Sequence, residues 1–187
     1  MTVEPIRLKS KVKEMTEALR EQSPRNALLF KFGINSILRI GDLLQIRYED
    51  VIDENGNIRT YLDKQEQKTN KHKRIKINKV LSKEILAYVN VYNLKANDYL
   101  FFSFKNPSIS IDRTVAWRFL KATAQGLGIE NFGTHSMRKT MAYHVYKGTN
   151  NISLVMKMLN HSSPQVTMKY IGIDQETIDV AYEDFCL

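Results

Sequence analysis

One cysteine, Cys186, stands in the whole chain. No internal disulfide can form, and a place beside the C-terminus gives a thiol nucleophile none of the shaped surroundings it needs. Long apolar runs are also missing. None approaches the ~20 residues that span a bilayer, and Met1-Thr2-Val3-Glu4-Pro5 lacks the basic-then-apolar order of a secretion signal, so a cytoplasmic protein is expected. Four histidines with one cysteine offer no zinc spacing, since His135 and His144 are not i, i+4 partners. The carboxylates of Glu49-Asp50-Val51-Ile52-Asp53-Glu54 suggest a metal, but Gly56 falls at the wrong place for a calcium loop and the run adjoins a turn. No P-loop and no G-x-G-x-x-G are found, which argues against nucleotide hydrolysis. Internal repeats, low-complexity stretches and interdomain linkers are absent.

What is present fits one domain of 187 residues with an ordinary 43% of hydrophobic residues. Charge is the less ordinary property. Lys and Arg number 28 against 20 Asp and Glu, leaving +8, a balance that favours a polyanionic partner such as nucleic acid or an acidic membrane surface.

The pattern of elements is mostly helical with a small antiparallel sheet, an α+β chain. Lys9 to Leu19 reads as an amphipathic helix. Ser23-Pro24 supplies an N-cap and a proline at the first position of a second, carrying Ala27, Leu28, Phe30, Ile34 and Leu38 up to an Arg39-Ile40-Gly41 turn. Asn55-Gly56 signals a tight hairpin. Ile58–Leu62 and Arg74–Ile77 alternate as strands joined by the polar, basic run Lys64–Lys73. Helical spacing returns at Leu81, Ile85, Leu86, Val89 and Leu94, and again at Val115, Phe119, Leu120 and Ala124. Thr134 is expected to cap a helix over 135–147 that Gly148 ends, a further helix follows through Ile152–Leu159, and Ser163-Pro164 opens one containing Tyr170. A last amphipathic segment from near Asp174 presents Ile178, Ala181, Tyr182 and Phe185 on one face.

Displacement at a phosphodiester moves negative charge onto the non-bridging oxygens, so a site working without metal needs fixed cations, arginine above all for its planar fork. Arg39 with Asp42 one helical turn on, and His135 with Arg138 at i, i+3, are candidates. Each pair alone says little, because helical arginines are usually solvated. Their order in the chain says more. Leu38-Arg39-Ile40-Gly41-Asp42, a lysine in a basic hairpin, His135-Ser136-Met137-Arg138, Leu159-Asn160-His161-Ser162-Ser163 and Thr167-Met168-Lys169-Tyr170 follow one another from about residue 25 to Tyr170. In this the chain resembles the tyrosine site-specific recombinases, the phage and transposon integrases among them. Departures are Asp42 for the commoner glutamate, Ile37 and Asn160 where the family often has glycine, and Lys139 after Arg138 where histidine is frequent. Asn tolerates the left-handed backbone that glycine would otherwise supply.

The resemblance implies a recombinase catalytic-domain fold in which Tyr170 attacks phosphorus to give a 3′-phosphotyrosyl link. Arg39, Arg138 and His161 would hold the non-bridging oxygens, and the surrounding cations would favour the phenolate. His135 would accept the proton or hydrogen-bond the phosphate, Asp42 would orient the cluster, and Lys68 would protonate the departing 5′ oxygen, with Lys71 the alternative acid. Lys64, Lys71, Lys73 and Arg74 are further candidates for contacts to DNA. No cofactor and no metal are implied. Residues 1–173 would form the catalytic domain and 174–187 a tail packing on a neighbouring protomer. Expected partners are double-stranded DNA, a homo-tetramer on paired sites and accessory DNA-bending proteins, with no membrane and a nucleoid-associated location. Family members usually carry a DNA-binding domain before the catalytic one, so a fragment or reduced form is expected. Two rival readings share the pattern: type IB topoisomerase-like nicking and closing, and a DNA-binding module that keeps the fold without catalysis.

Overall fold

The structure is a computed structural model and describes residues 3–66 and 71–184, without the side chains of 174–178 and 181. Its element order is α1 (Lys9–Gln22), α2 (Pro24–Ser36), α3 (Ile40–Leu44), α4 (Tyr48–Val51), β1 (Tyr61–Gln65), β2 (His72–Lys76), α5 (Lys79–Tyr92), β3 (Phe102–Ser103), β4 (Asn106–Ser110), α6 (Arg113–Gly126), α7 (Thr134–Thr149), α8 (Ile152–Leu159), α9 (Pro164–Ile171) and α10 (Ile173–Asp184). The mostly helical architecture with small antiparallel sheets is the expected class. Among the described residues no helix is long and apolar enough to cross a membrane.

Helix α2 is the central strut, packed against α1, α5, α6 and α7. It starts where the chemistry of Ser23-Pro24 directs: the serine hydroxyl accepts from Arg25 N–H at 3.2 Å, and the proline takes the first turn, where no N–H is needed. Phe30, Phe32, Leu28 and Leu29 on this helix are fully buried and belong to the larger apolar core with Met15, Leu19, Leu43, Ile46, Ile85, Phe101 and Leu120. Gly33 permits the close approach of α7. A Cβ there would lie 2.6 Å from Met137 Sδ and 3.2 Å from Met137 Cβ.

A second, smaller core joins Ile37, Ala142, Tyr143, Val155, Leu159, Ile171 and Ile173 beneath α7, α8 and α9. Ile37 enters it in the left-handed conformation, φ 58°, which a β-branched residue adopts only where its surroundings hold it. Burial to 3% exposure in this core is what holds it here. The turn that glycine would make freely is thereby made by a residue that also packs.

Four sequence expectations shift. The ladder β1–β2 pairs Tyr61 with Lys76 through Gln65 with His72, so the strands run on into the basic stretch read as their connection. The Asn55-Gly56 turn closes only one bridge, Ile52 to Ile58, with Gly56 at φ 80°. Thr134 is the first helical residue of α7, not its cap; the N-cap is Gly133, whose N–H donates to Ser136 Oγ at 3.0 Å, and the helix is closed by left-handed Asn150, with Gly148 inside it. A short ribbon, β3–β4, lies where no strand was expected. It has only two residues on one side and a proline on the other, too little for an alternating pattern to register.

Candidate active site

Alternation along the hairpin decides which of its charges point inward. Leu62 is buried, and with period two Lys64 and Glu66 follow it on the same face, opposite Ile75 and Lys73; Tyr61, Asp63, His72 and Arg74 face outward. The inward side chains meet the turn after α2 and the second turn of α7. Glu66 is fully buried, and its Oε1 lies 2.8 Å from Arg39 Nη1, 3.1 Å from Lys73 Nζ and 3.6 Å from Arg138 Nη1. Its Oε2 accepts from Asn160 Nδ2 at 3.5 Å. Burial lowers the Lys73 pKa, Arg138 lowers it further, and Glu66 acts against both.

Arg138 reaches the opposite wall. Its Nη2 donates to Leu159 O at 2.7 Å, the last carbonyl of α8. Asn160 closes that helix in the left-handed region, φ 58°, the conformation expected for it, and His161 N–H donates to Met156 O at 3.0 Å. This closure delivers His161 to the site. Its Nδ1 lies 3.1 Å from Thr167 Oγ1, whose hydroxyl donates to Ser163 O at 2.9 Å. With the threonine hydrogen committed, Nδ1 is the nitrogen that carries the imidazole proton, and Nε2 keeps its lone pair. Ser163 caps α9 and Pro164 opens it, and its last turn brings Tyr170 edge-on to His161, ring centroids 5.0 Å apart at 88°.

Electrostatics qualifies one expectation. Tyr170 has its pKa raised above the ordinary phenol value because burial outweighs Arg138 and Arg39, which pull it down. Tyr170 is therefore a neutral phenol in the free protein. His161 is held below the usual imidazole value by burial and by Arg138, Arg39 and Lys73. His135, on the first turn of α7, is lowered likewise by partial burial and then by Arg138, Arg113, Arg39 and Lys139.

Arg39, His135, Arg138, His161 and Tyr170 thus converge. Lys73, expected among contacts to DNA, is inside the cluster with its side chain 11% exposed. Lys64 is ion-paired to Asp50 at 2.6 Å, Lys71 is exposed at the hairpin tip, and Arg74 lies outward over the Tyr61 ring at 4.2 Å. Asp42 is buried in the first turn of α3. Lys68 lies outside the described residues. Glu66 was missed, although the period-two pattern from Leu62 carried the signal. So was Lys139, which is 5% exposed with its ammonium 5.0 Å from the centroid of the Tyr170 ring. Among the described residues no three His, Cys, Asp or Glu side chains gather as metal ligands would.

The mostly helical fold with its small antiparallel sheets is that of tyrosine recombinase catalytic domains. The solved XerA recombinase superposes with a TM-score of 0.75 at 18% identity, over 98% of this chain and 64% of that one. A lambda integrase tetramer bound to a Holliday junction does so at 0.69 and 13%, over 91% and 48%. Residues 8–177 match the phage integrase family, and the chain belongs to it. A probable integrase/recombinase of Bacillus subtilis, YoeC, is 41% identical over 98% of this chain and 97% of its own length. The tyrosine recombinase XerH of Campylobacter jejuni is 24% identical over 92% of this chain but 49% of its own length. The chain thus spans about half of that longer relative and nearly all of YoeC.

Proposed function

We propose that this domain breaks and rejoins DNA strands at specific sites by transesterification, with Tyr170 as the nucleophile and without metal or ATP. The Tyr170 oxygen bonds to phosphorus as the bond to the 5′ oxygen breaks. The phenol proton passes to a neutral imidazole: His135 is the acceptor that family resemblance implies, and His161, whose ring touches Tyr170, is the second candidate. Lys68 donates a proton to the departing 5′ oxygen. Rejoining is the reverse, with a 5′ hydroxyl attacking the phosphotyrosyl bond, so the bond energy is kept in the protein–DNA link. Arg39 and Arg138 stabilise the charge that grows on the non-bridging oxygens.

The observation carrying this reading is the edge-on contact of Tyr170 with His161 beside two arginines drawn to one buried carboxylate. Duplex DNA is the partner, and paired sites would gather four protomers with the tail 174–187 of each reaching a neighbour. Of that tail's expected face, Tyr182 is 77% exposed, Ile178 and Ala181 have undescribed side chains, and Phe185 lies outside the described residues. DNA-bending proteins and a nucleoid location belong to the same reading.

A duplex nicked just 3′ of the scissile phosphate tests it. A short 5′-hydroxyl strand diffuses away after cleavage and traps the covalent adduct. Wild type should accumulate it, and Tyr170→Phe, which deletes one oxygen and no charge, should form none while binding DNA nearly as well. An adduct at wild-type level in Tyr170→Phe would move the nucleophile elsewhere.

A further inference from the structure

We propose that Glu66 is a positioning residue for strand cleavage: its buried carboxylate sets the spacing of Arg39 and Arg138 and fastens the hairpin to the floor of the site. The inference rests on the recombinase reading above and assigns a part to a residue that the family motifs do not include.

Among the described residues, four separate pieces of chain meet at this one side chain. Arg39 comes from the turn after α2, Arg138 from α7, Lys73 from β2 and Asn160 from the end of α8, and all contact Glu66 within 3.6 Å. Three cations so close repel one another, and they share a site only around an anion. When DNA is absent, Glu66 supplies that anion.

Its place beneath the arginines, and not between them and solvent, follows from burial. Glu66 Oε1, Arg39 Nη1, Arg138 Nη1 and Lys73 Nζ are all sealed from solvent, whereas the Arg39 side chain keeps 24% exposure. The carboxylate therefore grips Arg39 from the inner side and leaves the phosphate to approach from the outer one. The interaction is of the kind that holds a metal ligand or a catalytic base in its working orientation through a partner behind it. The backbone of Glu66 acts in the same direction. Its N–H donates to Lys71 O at 2.9 Å, which extends the β1–β2 ladder past the Gln65–His72 pair.

The test compares single-turnover adduct formation on the nicked duplex carrying either an ordinary scissile phosphate or a neutral methylphosphonate. Glu66→Gln keeps the shape and removes the charge. On the phosphate it should cleave roughly tenfold or more slowly than wild type, because misplaced arginines stabilise the developing charge less well. Duplex affinity should be kept or increased, since the variant gains one positive charge. On the methylphosphonate, where the arginines have less charge to stabilise, the gap between variant and wild type should shrink to about threefold or less. Glu66→Asp, which keeps the buried charge but draws it back by one methylene, should give a smaller defect with the same shrinkage and serves if Glu66→Gln does not fold. Cleavage at the wild-type rate, or an equal defect on both substrates, would overturn the proposal and leave Glu66 a structural carboxylate. Absence of an adduct with wild type would instead refute the recombinase reading itself.

Discussion

The His161 ring stands edge-on to Tyr170, centroids 5.0 Å apart, with its Nδ1 committed to Thr167 at 3.1 Å. A neutral imidazole with a free Nε2 beside a phenol of raised pKa has a chemical consequence: the proton must leave Tyr170 during the attack, because the resting protein holds almost no phenolate. Both site histidines are depressed below the usual 6.5, so the base form predominates at neutral pH and is lost as pH falls through the lowered value. Single-turnover cleavage at limiting enzyme, which reads the free protein, should lose rate on an acid limb lying below about 6.5. His135→Ala and His161→Ala identify the acceptor, since the limb should vanish in one of them. An acid limb kept unchanged in both variants would rule out both imidazoles as bases.

Helix α7 carries Arg138 one residue after Met137, against which Gly33 packs. Gly33→Ala would put its Cβ 2.6 Å from Met137 Sδ, and the side chain must shift or the helices part. Urea unfolding should lose about 1–3 kcal/mol with an unchanged slope, the range for forcing a methyl into a packed interior. Any displacement of α7 would reach Arg138, so cleavage should slow more than binding weakens. Wild-type stability would mean that Met137 moves aside freely.

Most of this site was legible because its pieces are short and local. Ser23-Pro24 and Ser163-Pro164 cap helices through side chain and ring, whatever the rest of the fold does, and Asn160 turns left-handed by its own chemistry. His135 and Arg138 needed only the pitch of a helix. Glu66 was harder, because a carboxylate amid a basic run reads as solvated until the strand's register is known. Alternation from Leu62 turns it inward, yet the strand was read as ending before it. The same error sent Lys73 to the surface. The raised pKa of Tyr170 could not be foreseen from the count of neighbouring cations, since it follows from burial, which only the packing of α9 on α7 and α8 decides.

Lys68, as the proposed acid, acts on the leaving group and not on phosphate binding. Lys68→Ala should slow cleavage of ordinary DNA sharply with little change in affinity, because an alkoxide departs poorly without a proton. Sulfur in place of the 5′ bridging oxygen should restore cleavage to near the wild-type rate, since a thiol with a pKa near ~8.5 leaves as the anion. Rescue of Lys71→Ala instead, with Lys68→Ala still slow, would transfer the acid to Lys71. Rescue of neither would dismiss lysine acid catalysis here.

Neighbouring residues of one strand should give opposite phenotypes. Arg74 faces outward with its side chain 64% exposed, so a contact from it to DNA would be of the counterion-releasing kind. Arg74→Ala should reduce the log–log salt dependence of duplex binding by about 0.9 and leave the unfolding midpoint within experimental error. Lys73 faces inward with its side chain 11% exposed and is bound to Glu66 at 3.1 Å. Lys73→Met keeps the stem and deletes the charge, taking one of the three cations from Glu66 Oε1. It should lower stability by about 1–3 kcal/mol, the range for stripping a buried polar group of one partner, and leave the salt slope nearly unchanged. Adduct formation should fall with it, because the carboxylate then draws the two arginines closer than the phosphate requires. Salt titrations and urea melts of the two variants decide the matter together: a flattened slope in Lys73→Met, with stability intact, would mean that the lysine swings outward and spends its charge on DNA, and that the inward face of the hairpin is open in solution.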